Sequence, residues 1–170
     1  MPTDWPVQRP RAHKDPRLPQ PACCDDAARW LADLRVFDAG EAQHLLAAMR
    51  TLYPHDDLPD PVYRRTVATL DALCQRQGAL VAPLRALLAA LSAAVPAPFV
   101  ACSESYRTTA LRNAEAAGLP GFRLLQRLTV RFLYDDLAVW QAFGYEGAAY
   151  HLGGYVQRGF DDLQLPGDTR

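Results

Sequence analysis

DAGEAQHLLAAMRTLYPHDDLPDPVYRRTVATLDALCQRQG, residues Asp38 to Gly78, holds two helical patterns separated by a short, proline-flanked break. Asp38 followed three residues later by Glu41 has the form of an N-cap and capping-box pair. It opens an apolar stripe of Ala42, Leu45, Leu46, Met49 and Leu52, spaced three and four residues apart as one face of a helix requires. Tyr53-Pro54 closes that stripe. Asp60-Pro61 then reads as an N-cap with proline at the first helical position, where its missing N–H is not needed. Val62, Val67, Leu70, Leu73 and Cys74 carry the next stripe to Gly78, a helix-stopping residue.

The same periodicity extends in both directions. Upstream, from Asp25, Ala27, Trp30, Leu31 and Leu34 form a helical stripe. Downstream, Leu84, Leu87, Leu88, Leu91 and Val95 predict a helix that Pro96 and Pro98 end. A further helix is predicted over about residues 103–117, closed by Gly118. Another spans about residues 121–134, with Phe122, Leu125, Leu128, Thr129, Phe132 and Leu133 on one face. No segment alternates with period two for long enough to make a strand. The expected fold is all-α: a single-domain bundle of about six helices.

Composition agrees. The chain has 170 residues, about one domain long, and 49% of them are hydrophobic, enough to build a core. Its net charge of −1 supplies no field that would draw in nucleic acid or an anionic membrane. No apolar run reaches the length needed to span a bilayer.

The two ends differ from the middle. Residues 1–22, MPTDWPVQRPRAHKDPRLPQPA, hold six prolines and few large apolar residues, and predict an extended tail ahead of the helical domain at 23–170. They contain neither an apolar signal-peptide core nor a paired-arginine motif, since Pro10 separates Arg9 from Arg11. By that criterion a cytoplasmic location is expected. Toward the other end, five glycines between Gly144 and Gly159 alternate with Tyr145, Tyr150, Tyr155 and Phe160. Such a mixture suits an irregular but ordered segment laid over a surface. Aromatics and arginine are the residue types enriched at interface cores, so Tyr145, Tyr155, Arg158 and Phe160 are the expected partner-binding anchors. The competing expectation is that these rings pack on the chain's own helices.

Chemistry-bearing residues are sparse. His55, Asp56 and Asp57 fall together in the connection after the first quoted helix. Asp residues favour such turns because their side chains bond nearby backbone N–H groups. A histidine just past a helix C-terminus complements the helix dipole. The alternative is a metal-dependent small-molecule site at these three residues. A metal centre needs three or four converging ligands, and His13, His44 and His151 are not spaced to assist. Cys23-Cys24, Cys74 and Cys102 form no C-x-x-C motif; Cys74 sits at an apolar helical position and is expected in the core. Cys102 lies near the start of a helix, where a thiolate would be favoured. Neither a P-loop nor a dinucleotide fingerprint is present, so no catalytic, cofactor-binding or metal residue is assigned.

Three motifs, LYPHDDLPDPVY (52–63), FLYDDLAVWQAFGYEG (132–147) and GGYVQRGFDDLQLP (153–166), resemble the gluconate 2-dehydrogenase subunit 3 family, the likeness running over about residues 37–167. That resemblance implies a small helical accessory subunit of a large flavoprotein of the glucose-methanol-choline type, with a cytochrome c as possible electron acceptor. It places FAD and the catalytic base in the partner chain, leaving this chain non-catalytic by itself. It also implies a second location, the periplasm, reached by co-export with a signal-bearing partner. A free helical chaperone that leaves the flavoprotein after maturation is the remaining expectation.

Overall fold

In the computed structural model of this chain, residues 29–145 are described. They form six α-helices: α1 (Ala39–Leu52), α2 (Asp60–Arg76), α3 (Val81–Ala93), α4 (Glu104–Ala116), α5 (Pro120–Leu133) and α6 (Leu137–Ala142). Short 3-10 turns at Arg29–Asp33, Gly78–Leu80 and Phe99–Ala101 connect or precede them. No strand occurs among the described residues, and none of their helices is long and apolar enough to cross a membrane. The fold is all-α.

The α1 capping box is present in full. Asp38 Oδ1 accepts from Glu41 N at 2.8 Å, and Glu41 Oε2 accepts from Asp38 N at 3.1 Å. Two amides that would otherwise lack partners are thereby satisfied. The start of α2 is one residue off the sequence reading. Pro59 is the N-cap and Asp60 the first helical residue, without a side-chain cap bond. Its carboxylate is held instead by Arg50 at 2.7 Å and Arg64 at 3.7 Å, which explains why it does not turn back on the helix.

The first expected stripe does not give an α-helix. Residues 29–33 make a 3-10 turn that buries Trp30, while Ala27 lies outside the described residues. The cause is Asp71 on α2, a nearly fully buried carboxylate that accepts from three successive backbone amides. Arg35 N lies at 2.9 Å, Val36 N at 3.0 Å and Phe37 N at 2.9 Å. Those amides point sideways into α2, so the helical ladder cannot run through them. Arg85 of α3 completes the clasp, donating to Val36 O and to both Glu41 oxygens.

Amphipathic α5 lies at the centre, packed on α2 and α3, with α1 and α4 flanking. Its buried face is Phe122, Leu124, Leu125, Leu128, Thr129 and Leu133, opposed by Leu84, Leu87, Leu88 and Leu91 of α3 and by Val62, Tyr63, Val67 and Leu70 of α2. Each fully buried leucine contributes about 1.5–3 kcal/mol. Contact between α5 and α3 is close at Gly121. A Cβ there would run into the Pro83 carbonyl oxygen and stand 2.8 Å from Leu87 Cβ. Only glycine lets the two backbones meet. Cys74 is in the core, as its sequence position predicts.

Candidate functional site

The two connections that bracket α2 and α5 meet at one end of the bundle. On one side is residues 53–59, between α1 and α2, anchored by buried Leu58. Tyr63 reaches back from α2 and donates its hydroxyl to Tyr53 O at 2.6 Å, under the Arg50 guanidinium, which sits 4.7 Å from the ring centroid. Burial pushes the Tyr63 hydroxyl above its ordinary pKa, so it stays a donor. On the other side are residues 134–136, between α5 and α6.

A second turn of helix after α5 was not expected from the sequence, yet α6 forms. Asp136 is its N-cap, accepting from Ala138 N at 2.8 Å. The same carboxylate takes a two-pronged grip from Arg65 of α2, Nε to Oδ2 at 2.6 Å and Nη2 to Oδ1 at 3.2 Å. Asp136 is 5% exposed, so α6 is pinned to α2 by a desolvated pair. Gly144, with φ of 68°, then turns the chain out of α6, in the left-handed conformation that glycine takes without steric cost.

Pinning α6 gathers aromatic side chains from both connections. His55 Nε2 and the Tyr134 hydroxyl share a hydrogen bond of 2.8 Å. Phe143 packs edge-on to the His55 ring at 5.2 Å between centroids and lies 6.3 Å from the Tyr134 ring. Tyr53 meets Tyr134 edge to face at 6.3 Å. Burial raises the Tyr53 pKa, and neighbouring Tyr134 adds to this. Trp140 donates its indole N–H to Tyr134 O, and Tyr145 stands edge-on to Trp140 at 5.2 Å. Rings at these separations and tilts attract beyond the area they bury. Three of them nevertheless remain open to solvent: Tyr134 at 37%, Tyr145 at 47% and Phe143 at 51%.

His55 is therefore engaged with an aromatic side chain brought from 79 positions away, while Asp56 and Asp57 point to solvent in the turn. Among the described residues no group of three or more His, Cys, Asp or Glu is arranged to hold a metal ion. Tyr145 is placed on the aromatic face by its contact with Trp140. Tyr155, Arg158 and Phe160, with the rest of the glycine-rich stretch after Tyr145, lie outside the described residues, as do residues 1–22 and Cys23-Cys24. Sequence reasoning places Phe143 at the start of the expected interface segment, 143–161, without naming it an anchor, and missed Tyr134 and the part His55 plays beside them. The signal was present in FLYDDLAVWQAFGY, four aromatics in the twelve residues after Leu133 counting from Tyr134 to Tyr145.

Elsewhere, His44 of α1 is buried with its ring 4.4 Å from Phe99, its Nε2 has no hydrogen-bond partner, and burial lowers its pKa to about 4. Cys102 is free and buried, its thiol directed at Ala97 O at 3.4 Å. Compared with known proteins, the chain matches no family model, no curated protein and no solved structure.

Proposed function

We propose that this chain is a non-catalytic accessory subunit that binds and stabilises a larger flavoprotein dehydrogenase acting on a sugar or alcohol, with FAD carried by that partner. One observation carries the reading: Tyr134, Phe143 and Tyr145 form a half-open aromatic cluster on a platform fixed by the Arg65–Asp136 pair. Rigid rings that stay exposed give large contact area at little rotamer cost, the property of interface anchors. The likeness of three sequence motifs to the gluconate 2-dehydrogenase subunit 3 family supplies the nature of the partner. Two of those motifs, 52–63 and 132–147, contribute the rings that meet at this end of the bundle.

The test is co-expression with a large flavoprotein dehydrogenase of the glucose-methanol-choline type. Tyr145→Ala, Tyr155→Ala and Arg158→Ala are each measured for co-purification of the flavoprotein and for thermal unfolding of the lone chain. Lost co-purification with an unchanged melting temperature is expected. Undiminished co-purification by all three variants, or flavin bound by the lone chain, overturns the reading. Size-exclusion of the pair separates a resident subunit from a chaperone that departs.

A further inference from the structure

The outward face of α5 repeats with helical spacing. Arg123, Arg127, Val130, Arg131 and Tyr134 stand at i, i+4, i+7, i+8 and i+11, and every one is exposed. No ion pair or side-chain hydrogen bond joins Arg123, Arg127 or Arg131 to another described residue. Like charges four residues apart on a helix repel and destabilise it, so this row is a local cost to α5. The row spans about 16 Å at 1.5 Å per residue and ends on Tyr134 and Phe143.

We propose that this face, from Arg123 through Arg131 to Tyr134 and Phe143, is the docking surface for an acidic helical segment of a partner protein. The inference rests on the accessory-subunit reading and names the part of the partner that is gripped. Its basis is charge complementarity. Guanidinium groups about 6 Å apart match carboxylates at the same helical interval, and each presents a planar fork that bonds a carboxylate two-pronged. Val130 is 40% exposed within the row, and Phe143 is 51% exposed at its end. These give an apolar side chain of the same segment a place to land. A phosphate backbone would leave both unused, and a chain of net charge −1 offers it no wider field. Docking along α5 relieves the repulsion within the row as it forms the interface.

The probe is a synthetic helical peptide with Glu at i, i+4 and i+8 and Leu at i+11, titrated calorimetrically into the full chain. Its control carries Gln at the three acidic positions. The Glu peptide is expected to bind, to weaken as salt rises, and to lose about tenfold or more in affinity to Arg123→Glu/Arg127→Glu/Arg131→Glu. Val130→Ser, at a site 40% exposed within the row, is expected to weaken it separately with little change in the thermal unfolding. Should the triple reversal unfold the chain, the Arg→Gln triple makes the same measurement.

Equal affinity for the Glu and Gln peptides, or binding unaffected by either triple variant, overturns the proposal. So does tighter binding of duplex DNA or phosphatidylserine vesicles through the same arginines. Self-association of the chain that the reversal abolishes assigns the face to a second copy and likewise overturns it. Peptide binding that appears only in Asp161→Lys/Asp162→Lys assigns it to the chain's own acidic stretch, with the same consequence. Failure of the accessory-subunit reading is read separately. A flavoprotein that never co-purifies, with peptide binding intact, removes that reading alone, and co-purification that survives the triple reversal removes the docking surface alone.

Discussion

Arg65 holds Asp136 with both prongs of its guanidinium across 71 positions of sequence, and the same carboxylate caps α6. One buried group thus fixes both where α6 starts and where it lies. Removing Arg65 leaves the Asp136 carboxylate desolvated without its guanidinium, and removing Asp136 takes from Arg65 its buried carboxylate and from α6 its cap, a loss of about 3–5 kcal/mol. Asp136→Ala is expected to lower stability by about that amount in urea titration and to free Trp140, which shifts its fluorescence to the red. Arg65→Met combined with Asp136→Leu is expected to recover the part of the loss due to the broken charge pair, leaving about 1 kcal/mol for the missing α6 cap. If the double variant is as unstable as the sum of the singles, the pair is not coupled as described.

Gly121 is expected to tolerate no side chain. Gly121→Ala pushes a methyl into the Pro83 carbonyl and Leu87, forcing α5 off α3 at about 1–3 kcal/mol or more. Gly78 is the control, since a Cβ there meets nothing within 4 Å. Gly78→Ala is expected to leave the melting temperature nearly unchanged. Equal effects of the two substitutions would show that the α3–α5 approach is loose.

His44 makes stability depend on pH. Its folded pKa, about 4, lies below the unfolded value of 6.5, so folding disfavours the bound proton. The stability it preserves is whole above pH 6.5 and is lost as pH falls through 6.5 toward 4. Between pH 7 and pH 5 the loss is about 2 kcal/mol, from the usual linkage of pKa to free energy. His44→Leu is expected to remove that part of the slope in denaturant titrations at the two pH values. A variant whose slope equals that of the wild type would show that His44 titrates normally.

Cys74 is expected to be inert. Burial, aided by the Asp71 carboxylate, pushes its thiol up to about 11. At pH 8 almost none is thiolate, the reactive form. Iodoacetamide should label Cys74 only after denaturant unfolds the chain, as mass spectrometry of tryptic peptides will report. Labelling of Cys74 in the folded chain at the rate of a free thiol would contradict its placement.

The helices were legible because their signals are local. Capping at Asp38, the proline break before α2 and the stripes of α3 and α5 each act within a few residues. What was not legible depends on partners distant in sequence. The stripe through Trp30 and Leu31 has helical spacing, but Asp71 draws the following amides away. Conversely, LAVWQA offers only six residues of pattern, and its helix exists because Arg65 secures the cap. The aromatic face is hidden for the same reason: His55 and Tyr134 are unremarkable until α2 and α5 bring their flanking turns together. Tyr145 could be named an anchor from its surroundings alone, whereas Phe143 could be placed in the same segment but its packing on His55 could not.

Asp71 also bears on the order in which the chain folds. Helices α1 and α2 are neighbours along the sequence and pair with each other, a contact that helical proteins close quickly. The amides of Arg35, Val36 and Phe37 instead wait for a carboxylate 34 to 36 positions later, one that has no use until α2 has formed. Closing that loop sacrifices chain entropy before its three bonds return anything. The segment through Trp30 is thus a late passenger, sewn on after α1 and α2 have paired. In a pulse-labelling experiment the amides of residues 35–37 should gain protection after those of α2, because their acceptor stands on a helix that has to form first.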